Sequence, residues 1–183
     1  MKLEDVKKAY NVPVIKGFSY DFPKSGLFLI RGRSGVGKTT LLRIMAGIEK
    51  ADSGKVSLKG EVISMVFQED RLLPFLTLKE NVLITKKHRD ESKAQALLER
   101  FGLKDAADLY PAELSGGMRL RGAIVRSLYY GGDIYLWDEP TKELDPENRA
   151  LVIEAIRERA KDALVITVTH DPELTGGTEI ELE

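Results

Sequence analysis

The sequence predicts an α/β fold: a core with a mostly parallel sheet, an N-terminal antiparallel β arm, and an inserted α-helical subdomain. Three observations carry this expectation. A short apolar run at residues 27–30 breaks at Gly32 into a glycine-rich loop, and a helical pattern with Leu41, Leu42, Ile44 and Met45 follows. Two further apolar runs, residues 134–137 and 163–168, have the continuous hydrophobicity of strands buried on both faces. Between the first run and these two, residues 70–129 read as helix throughout.

Taken in order, residues 3–10 and 12–20 read as two strands around the break at Pro13, and 23–26 as a turn into the central strand. The helix after the loop is expected to reach about Glu49, followed by a turn at 51–54 and strands at 55–59 and 61–67. In the helical part, Thr77 and Glu80 have the spacing of a capping box for a helix through Ile84. A charged, exposed link is expected at 86–91. Ala94, Leu97, Leu98 and Phe101 then form one apolar helix face closed by Gly102. A third helix begins after Ser115, with Leu120, Ala123, Ile124 and Leu128 inward. Asp145 caps a helix whose first residue is Pro146, with Val152, Ala155 and Ile156 inside. Residues 178–182 read as an edge strand. The expectation is a single domain over 1–183, in which 1–69 and 130–183 make the α/β core with its β arm and 70–129 the helical subdomain.

Composition narrows the class. The chain has 183 residues, 43% apolar and 31% charged, with 28 basic against 29 acidic side chains. That balance argues against a nucleic-acid binder driven by a basic field, so no nucleic-acid partner is expected. There is no cysteine, which excludes disulfides and thiolate metal sites. The N-terminal MKLEDVKKAY has no apolar signal core and no run approaches a membrane span, so a cytoplasmic protein is expected.

The chemistry centres on Gly32, Arg33, Ser34, Gly35, Val36, Gly37, Lys38 and Thr39, a full match to the phosphate-loop pattern G-x-x-x-x-G-K-[ST]. Such a loop turns backbone N–H groups inward around an anion, and the following helix directs its positive end at the same point. Lys38 brings a mobile charge to the β- and γ-phosphates, and the Thr39 hydroxyl is a Mg²⁺ ligand. The core is therefore expected to be a P-loop nucleotide-binding one. Asp138 and Glu139 follow the apolar strand at 134–137. The first acid is placed to hold Mg²⁺, and the second to polarise water as general base. His170 emerges after the 163–168 strand, placed to donate to a γ-phosphate, and Gln68 follows the 61–67 strand with an amide able to meet Mg²⁺ or water. Ser115, Gly116, Gly117 and Met118 open a helix with bare N–H groups, a second phosphate-grade helix end. His88 is read as solvated surface.

In order, GRSGVGKTT, Gln68, LSGGM, IYLWDE, the Leu-Asp at 144–145 and the histidine of VTHD resemble the nucleotide-binding subunit of ABC transporters. The resemblance covers residues 10–171. It implies ATP and Mg²⁺ as cofactors, with Gly32 to Thr40 as Walker A (Thr40 included), Asp138 as the Walker B acid and Glu139 as catalytic base. It makes Gln68 the Q-loop residue, His170 the switch histidine, Ser115 to Met118 the signature, and Asp145 the D-loop acid. Tyr10 falls where the family stacks an aromatic on adenine, although Phe18 and Tyr20 lie near.

The resemblance further implies a head-to-tail dimer sandwiching two ATP, each signature closing on the partner's triphosphate. It also implies an integral membrane permease as partner and, through it, a solute-binding protein, on the inner face of the membrane. The stretches VFQEDRLLPFLTLKENV and LSGGMR look like the nitrate, sulfonate and taurine importer branch. Leu72, Leu73, Phe75 and Leu76 are divided between two expectations, a permease-docking groove and plain core. Some features depart from the family: a short β arm between Gly54 and Gln68, 13 residues after His170, Leu120 in place of Gln, and Lys142 and Glu143 where small residues are normal. Two other readings stay open: a soluble ABC-type ATPase in DNA repair or translation, and a weakly hydrolysing regulatory module.

Overall fold

The computed structural model describes residues 1–183. The chain opens with an antiparallel hairpin of β1 (Lys2–Ala9) and β2 (Pro13–Asp21), then turns into β3 (Gly26–Arg31). The phosphate loop leads to α1 (Lys38–Met45), which ends at Ala46–Gly47, a turn short of the expected Glu49. β4 (Ser53–Ser57) pairs antiparallel with β1 and completes a three-stranded arm in the order β2-β1-β4. Ser53 and Gly54, expected as turn, belong to this strand. Opposite Gly54 the arm is irregular: Asp5 has φ 45°, Gly54 has φ 84°, and a Cβ at Gly54 would collide with the Asp5 carbonyl. A glycine that looks like a turn signal is thus a strand bulge, where only hydrogen fits under the neighbouring backbone.

The second sheet contains β5 (Ile63–Val66), β6 (Ile134–Asp138), β7 (Leu164–Val168) and β8 (Thr178–Glu181) together with β3. Its order is β5-β6-β7-β3-β8 and all four pairings are parallel. β8 is the expected edge strand. The two-residue period of a strand sorts its side chains between two cores. Leu27, Leu29, Tyr135, Trp137 and Val165 face one. Phe28, Ile30, Leu136, Ile166 and Val168 face the other, against Leu41, Leu42 and Met45 of α1 and Val6 and Ile15 of the arm.

The first core also receives α2 (Leu78–Leu83), α3 (Glu91–Arg100), α4 (Gly116–Tyr130) and α5 (Pro146–Ala160), so residues 70–129 share one continuous apolar interior with the sheet. Two single-turn 3₁₀ helices, Lys104–Ala106 and Pro111–Glu113, are additions that no periodicity signalled. The capping expectations are met. Thr77 and Glu80 satisfy each other's backbone reciprocally, Ser115 accepts from Met118 N–H, and Asp145 accepts from Asn148 N–H. Glu91, placed in the exposed link by its charge, instead begins α3 behind the Asp90 cap.

A buried polar cluster fixes α4 to the sheet. Ser64 Oγ and Ser127 Oγ lie 2.7 Å apart, and Trp137 Nε1 donates to Ser127 Oγ at 3.0 Å. Each such group would cost about 1–3 kcal/mol if left unpartnered, so the helix that carries residues 116–118 is registered to the strand that ends in Asp138. No helix is long and apolar enough to cross a membrane.

Candidate functional site

The site lies at the carboxyl ends of the parallel strands, where open α/β sheets bind ligands. β3 ends at Arg31 and α1 starts at Lys38, so residues 32–37 are the turn between strand and helix. Gly37 is the N-cap with φ 106°, and a Cβ there would meet Val14 Cγ1 at 2.5 Å. The arm packs so closely on the loop that the motif's second glycine has no replacement. Lys38 is buried, and its ammonium donates to the carbonyls of Gly32 at 2.7 Å and Arg33 at 2.9 Å. The loop is thereby curled around its own lysine, with two carbonyls on the ammonium, the kind of turn that presents amides to an anion.

The loop forms one wall of a cleft of about 660 Å³, lined by Tyr10, Val14, Ser34, Gly35, Gly37, Lys38, Thr39, Thr40, Gln68, Asp138, Glu139, Lys142, Val168 and His170. The fold thus gathers residues from five separate stretches of chain, among them Gln68, Asp138, Glu139 and His170. Asp138 is 1% exposed, and its Oδ1 has no hydrogen-bond partner. Burial pushes its carboxyl above the usual carboxylate range, while the Thr39 hydroxyl and the charges of Arg43 and Lys38 pull it back. A buried carboxylate oxygen left without a donor, beside a hydroxyl and a lysine, is suited to a cation that is not a protein side chain.

Glu139 adopts φ 50°, in the left-handed region. It does so as its N–H donates to Val168 O at 2.9 Å, which ties the end of β6 across to β7. Such strain in a non-glycine residue marks a position held by its surroundings. Its carboxylate faces the other strand end: Oε2 accepts from His170 N at 3.4 Å, and Oε1 stands 3.7 Å from His170 Nε2. β6 and β7 are neighbours, so the two residues meet although 31 positions separate them. Gln68 is exposed just beyond β5 and reaches the same cleft.

Tyr10 sits at the mouth, 59% exposed, with its hydroxyl bonded to Glu49 and the Lys8 ammonium 5.5 Å from the ring centre. Phe18 and Tyr20, the alternatives for the stacking aromatic, pack instead against the arm's core. Gly32, Arg33 and Val36 do not line the cleft; the first two hold Lys38, and Val36 packs against the core. Ser115, Gly116, Gly117, Met118 and Asp145 also lie outside it. Ser115 caps α4 with Gly116 exposed at the helix start, and both Asp145 oxygens bond Asn148, which holds that carboxyl below the usual range.

The fold adds Val14, Lys142 and Val168 to the residues expected at the cleft. Val14 and Val168 give no signal beyond strand alternation. Lys142 stands out in the sequence only as a charge where small residues are normal. A second unanticipated feature is the tie between the Gln68 segment and α4: Arg119 Nε donates to Asp70 at 3.0 Å, and Arg126 donates to the carbonyls of Asp70 and Arg71. Of the four apolar residues with divided expectations, Leu72 is core, whereas Leu73 and Phe75 are exposed, Phe75 by 89%. Asn81, fully buried, clips that turn through bonds to Leu73, Leu76 and Thr77 backbone. His88 is exposed, as expected.

Comparison with known proteins identifies the family and the fold. The family profile described as "ABC transporter" matches residues 15–142. Relatives include the macrolide export ATP-binding/permease protein MacB of Shigella flexneri, 34% identical over the whole chain and 33% of the relative, and MacB of Escherichia coli strain K12, 33% identical over the same shares. The chain spans about a third of the length of these relatives. They are not members of the nitrate, sulfonate and taurine importer branch. Two solved structures superpose with TM-score 0.90. One, 27% identical and covering 100% of this chain and 94% of its own, is a dimeric post-hydrolysis state of the ATP-binding cassette MJ0796 bound to ADP and Pi. The other, 28% identical over 99% and 93%, is dimeric MJ0796, a bacterial ABC transporter cassette. The strand–loop–helix, the acid pair at the end of β6 and the histidine just beyond β7 therefore stand in a chain that belongs to the ABC transporter family.

Proposed function

We propose that this domain drives solute passage through an integral membrane permease, on whose cytoplasmic face it sits, by binding and hydrolysing ATP as a head-to-tail dimer. The observation that carries the reading is the convergence of Lys38, Asp138, Glu139 and His170 on one cleft from separate elements. Residues 32–40 embrace the phosphates and Tyr10 lies under the base. Glu139 accepts the proton of the attacking water, oriented by His170, which holds the Glu139 carboxylate from across the sheet. Thr39, Asp138 and Gln68 fit a Mg²⁺ ion: a hydroxyl, an unpartnered carboxylate oxygen and an amide, short of a full cage, as suits an ion that shares phosphate and water ligands. When bound, that ion neutralises charge on the phosphates.

Residues 115–118, with Ser115 and Gly116 exposed at the start of α4 and all four away from their own cleft, serve a partner's triphosphate, with Asp145 on the same side; MJ0796 is dimeric in the structures cited. Residues 70–129 act as the helical arm of a single domain, and the exposed Leu73 and Phe75 are its contact with the permease. Export is supported by the identity to MacB. Import, with a solute-binding protein, is supported by the local stretches at 66–82 and 114–119.

The test is phosphate release from MgATP by purified wild type and Glu139→Gln, with gel filtration in ATP. The variant is expected to lose about a hundredfold or more in rate, the scale of general-base loss, while it retains ATP and elutes as dimer. A variant that hydrolyses like wild type removes Glu139 as the base. One that binds ATP but never shifts in elution removes the dimer.

A further inference from the structure

We propose that Lys142 is a second cationic contact for the terminal phosphate, one that lets the cleft prefer a nucleoside triphosphate over a diphosphate. The inference rests on the reading of the cleft as the ATP site. Lys142 lines that cleft together with Asp138, Glu139 and His170. Its N–H donates to Glu139 O at 3.1 Å, which fixes its backbone beside the Glu139 end of the cleft rather than the end marked by Tyr10 and Val14. Two left-handed residues, Glu139 at φ 50° and Glu143 at φ 60°, bracket it. The turn between them is closed further by Leu144 N–H to Thr141 O, over a buried Thr141.

The side chain is free to serve a ligand. Its only carboxylate partner is Glu143, 3.8 Å away, with the lysine 52% and the glutamate 78% exposed. An exposed pair at that distance holds a lysine weakly. Charge balance gives the ammonium a purpose. Apart from Lys142 and the imidazole of His170, the titratable side chains lining this cleft that carry charge are two carboxylates, Asp138 and Glu139, and one ammonium, Lys38. Lys38 is already shared between two loop carbonyls. A γ-phosphate brought against Glu139 would meet like charge, and Lys142, carried on the same turn as that glutamate, offsets it. A diphosphate ends short of this point and gains little.

The experiment is fluorescence titration of wild type, Lys142→Ala and Lys142→Arg with a non-hydrolysable ATP analogue and with ADP, each with Mg²⁺. A charge-assisted contact of this kind is worth about tenfold in affinity. Lys142→Ala is expected to weaken the triphosphate analogue about tenfold and ADP less than twofold. Lys142→Arg is expected to restore the preference, since charge and reach persist. A ratio of the two affinities in Lys142→Ala within twofold of wild type, or equal loss for both nucleotides, overturns the proposal. ADP affinity reports that the variant is folded. A wild type that bound neither nucleotide would instead overturn the reading of the cleft itself.

Discussion

Asp138→Asn separates stability from function at one atom. In the unfolded chain this carboxyl has the ordinary value of 3.8, and in the folded chain burial raises it. The folded state therefore keeps the proton longer, and stability falls as pH rises from the unfolded value through the folded one. Above that window an ionised carboxylate is held in the protein with Oδ1 unpartnered. An unsatisfied buried group costs about 1–3 kcal/mol, more when charged. A neutral amide still leaves part of that cost, so a net gain of about 1 kcal/mol is expected, or about 2–4 °C in Tm for a chain of this size. Without nucleotide at pH 8, Asp138→Asn should melt above wild type, and the difference should shrink as acidification approaches the unfolded value of 3.8. With MgATP at about one hundred times the wild-type Kd, wild type gains about 2.7 kcal/mol, whereas a variant that binds a hundredfold more weakly gains about 0.4 kcal/mol. The order of melting then reverses. Thermal melts at pH 4, 6 and 8, with and without MgATP, read all of this. A ligand-free Asp138→Asn that melts below wild type at pH 8, or a gap that does not close with acid, refutes the account of Asp138 as a strained cation ligand.

Lys38→Ala removes both the phosphate charge and the clasp on Gly32 and Arg33; calorimetric titration should show ATP affinity falling at least about a hundredfold, or about 2.7 kcal/mol. Gly37→Ala places a methyl 2.5 Å from Val14 Cγ1 and 3.0 Å from the Val14 carbonyl at φ 106°; a loss of about 1–3 kcal/mol in urea unfolding is expected, with nucleotide binding lost as the arm lifts from the loop. Ser127→Ala strands Trp137 Nε1 and loosens Ser64; about 2 kcal/mol of stability should go, while ADP affinity in the folded protein stays near wild type because no atom of Ser127 lines the cleft.

Much of the site was legible because its chemistry is written in short runs. The phosphate loop is contiguous, and Asp138 and Glu139 are adjacent at the end of an apolar strand. The caps at Thr77, Ser115 and Asp145 bond residues only three positions away. What the sequence misplaces or leaves open depends on distant partners. Gly54 looked like a turn because the Asp5 backbone that crowds it is far off in sequence. Leu72 and Phe75 have the same apolar character, and only packing made one core and the other surface. The charge of Lys142 was visible, but its place in the cleft follows from two non-glycine residues at positive φ.

By itself the amino-acid order determined the phosphate-loop motif, the parallel α/β core and the helical segment, since strand and helix periodicity and glycine geometry act over a few residues. Only the tertiary structure decided that Glu139 meets His170, that Asp138 keeps an unpartnered oxygen beside Thr39, and that Lys142 joins them. Those relations exist only once β5, β6, β7 and β3 lie in their order. Strand order is a long-range outcome of burying both faces of one sheet, which no local window of sequence contains.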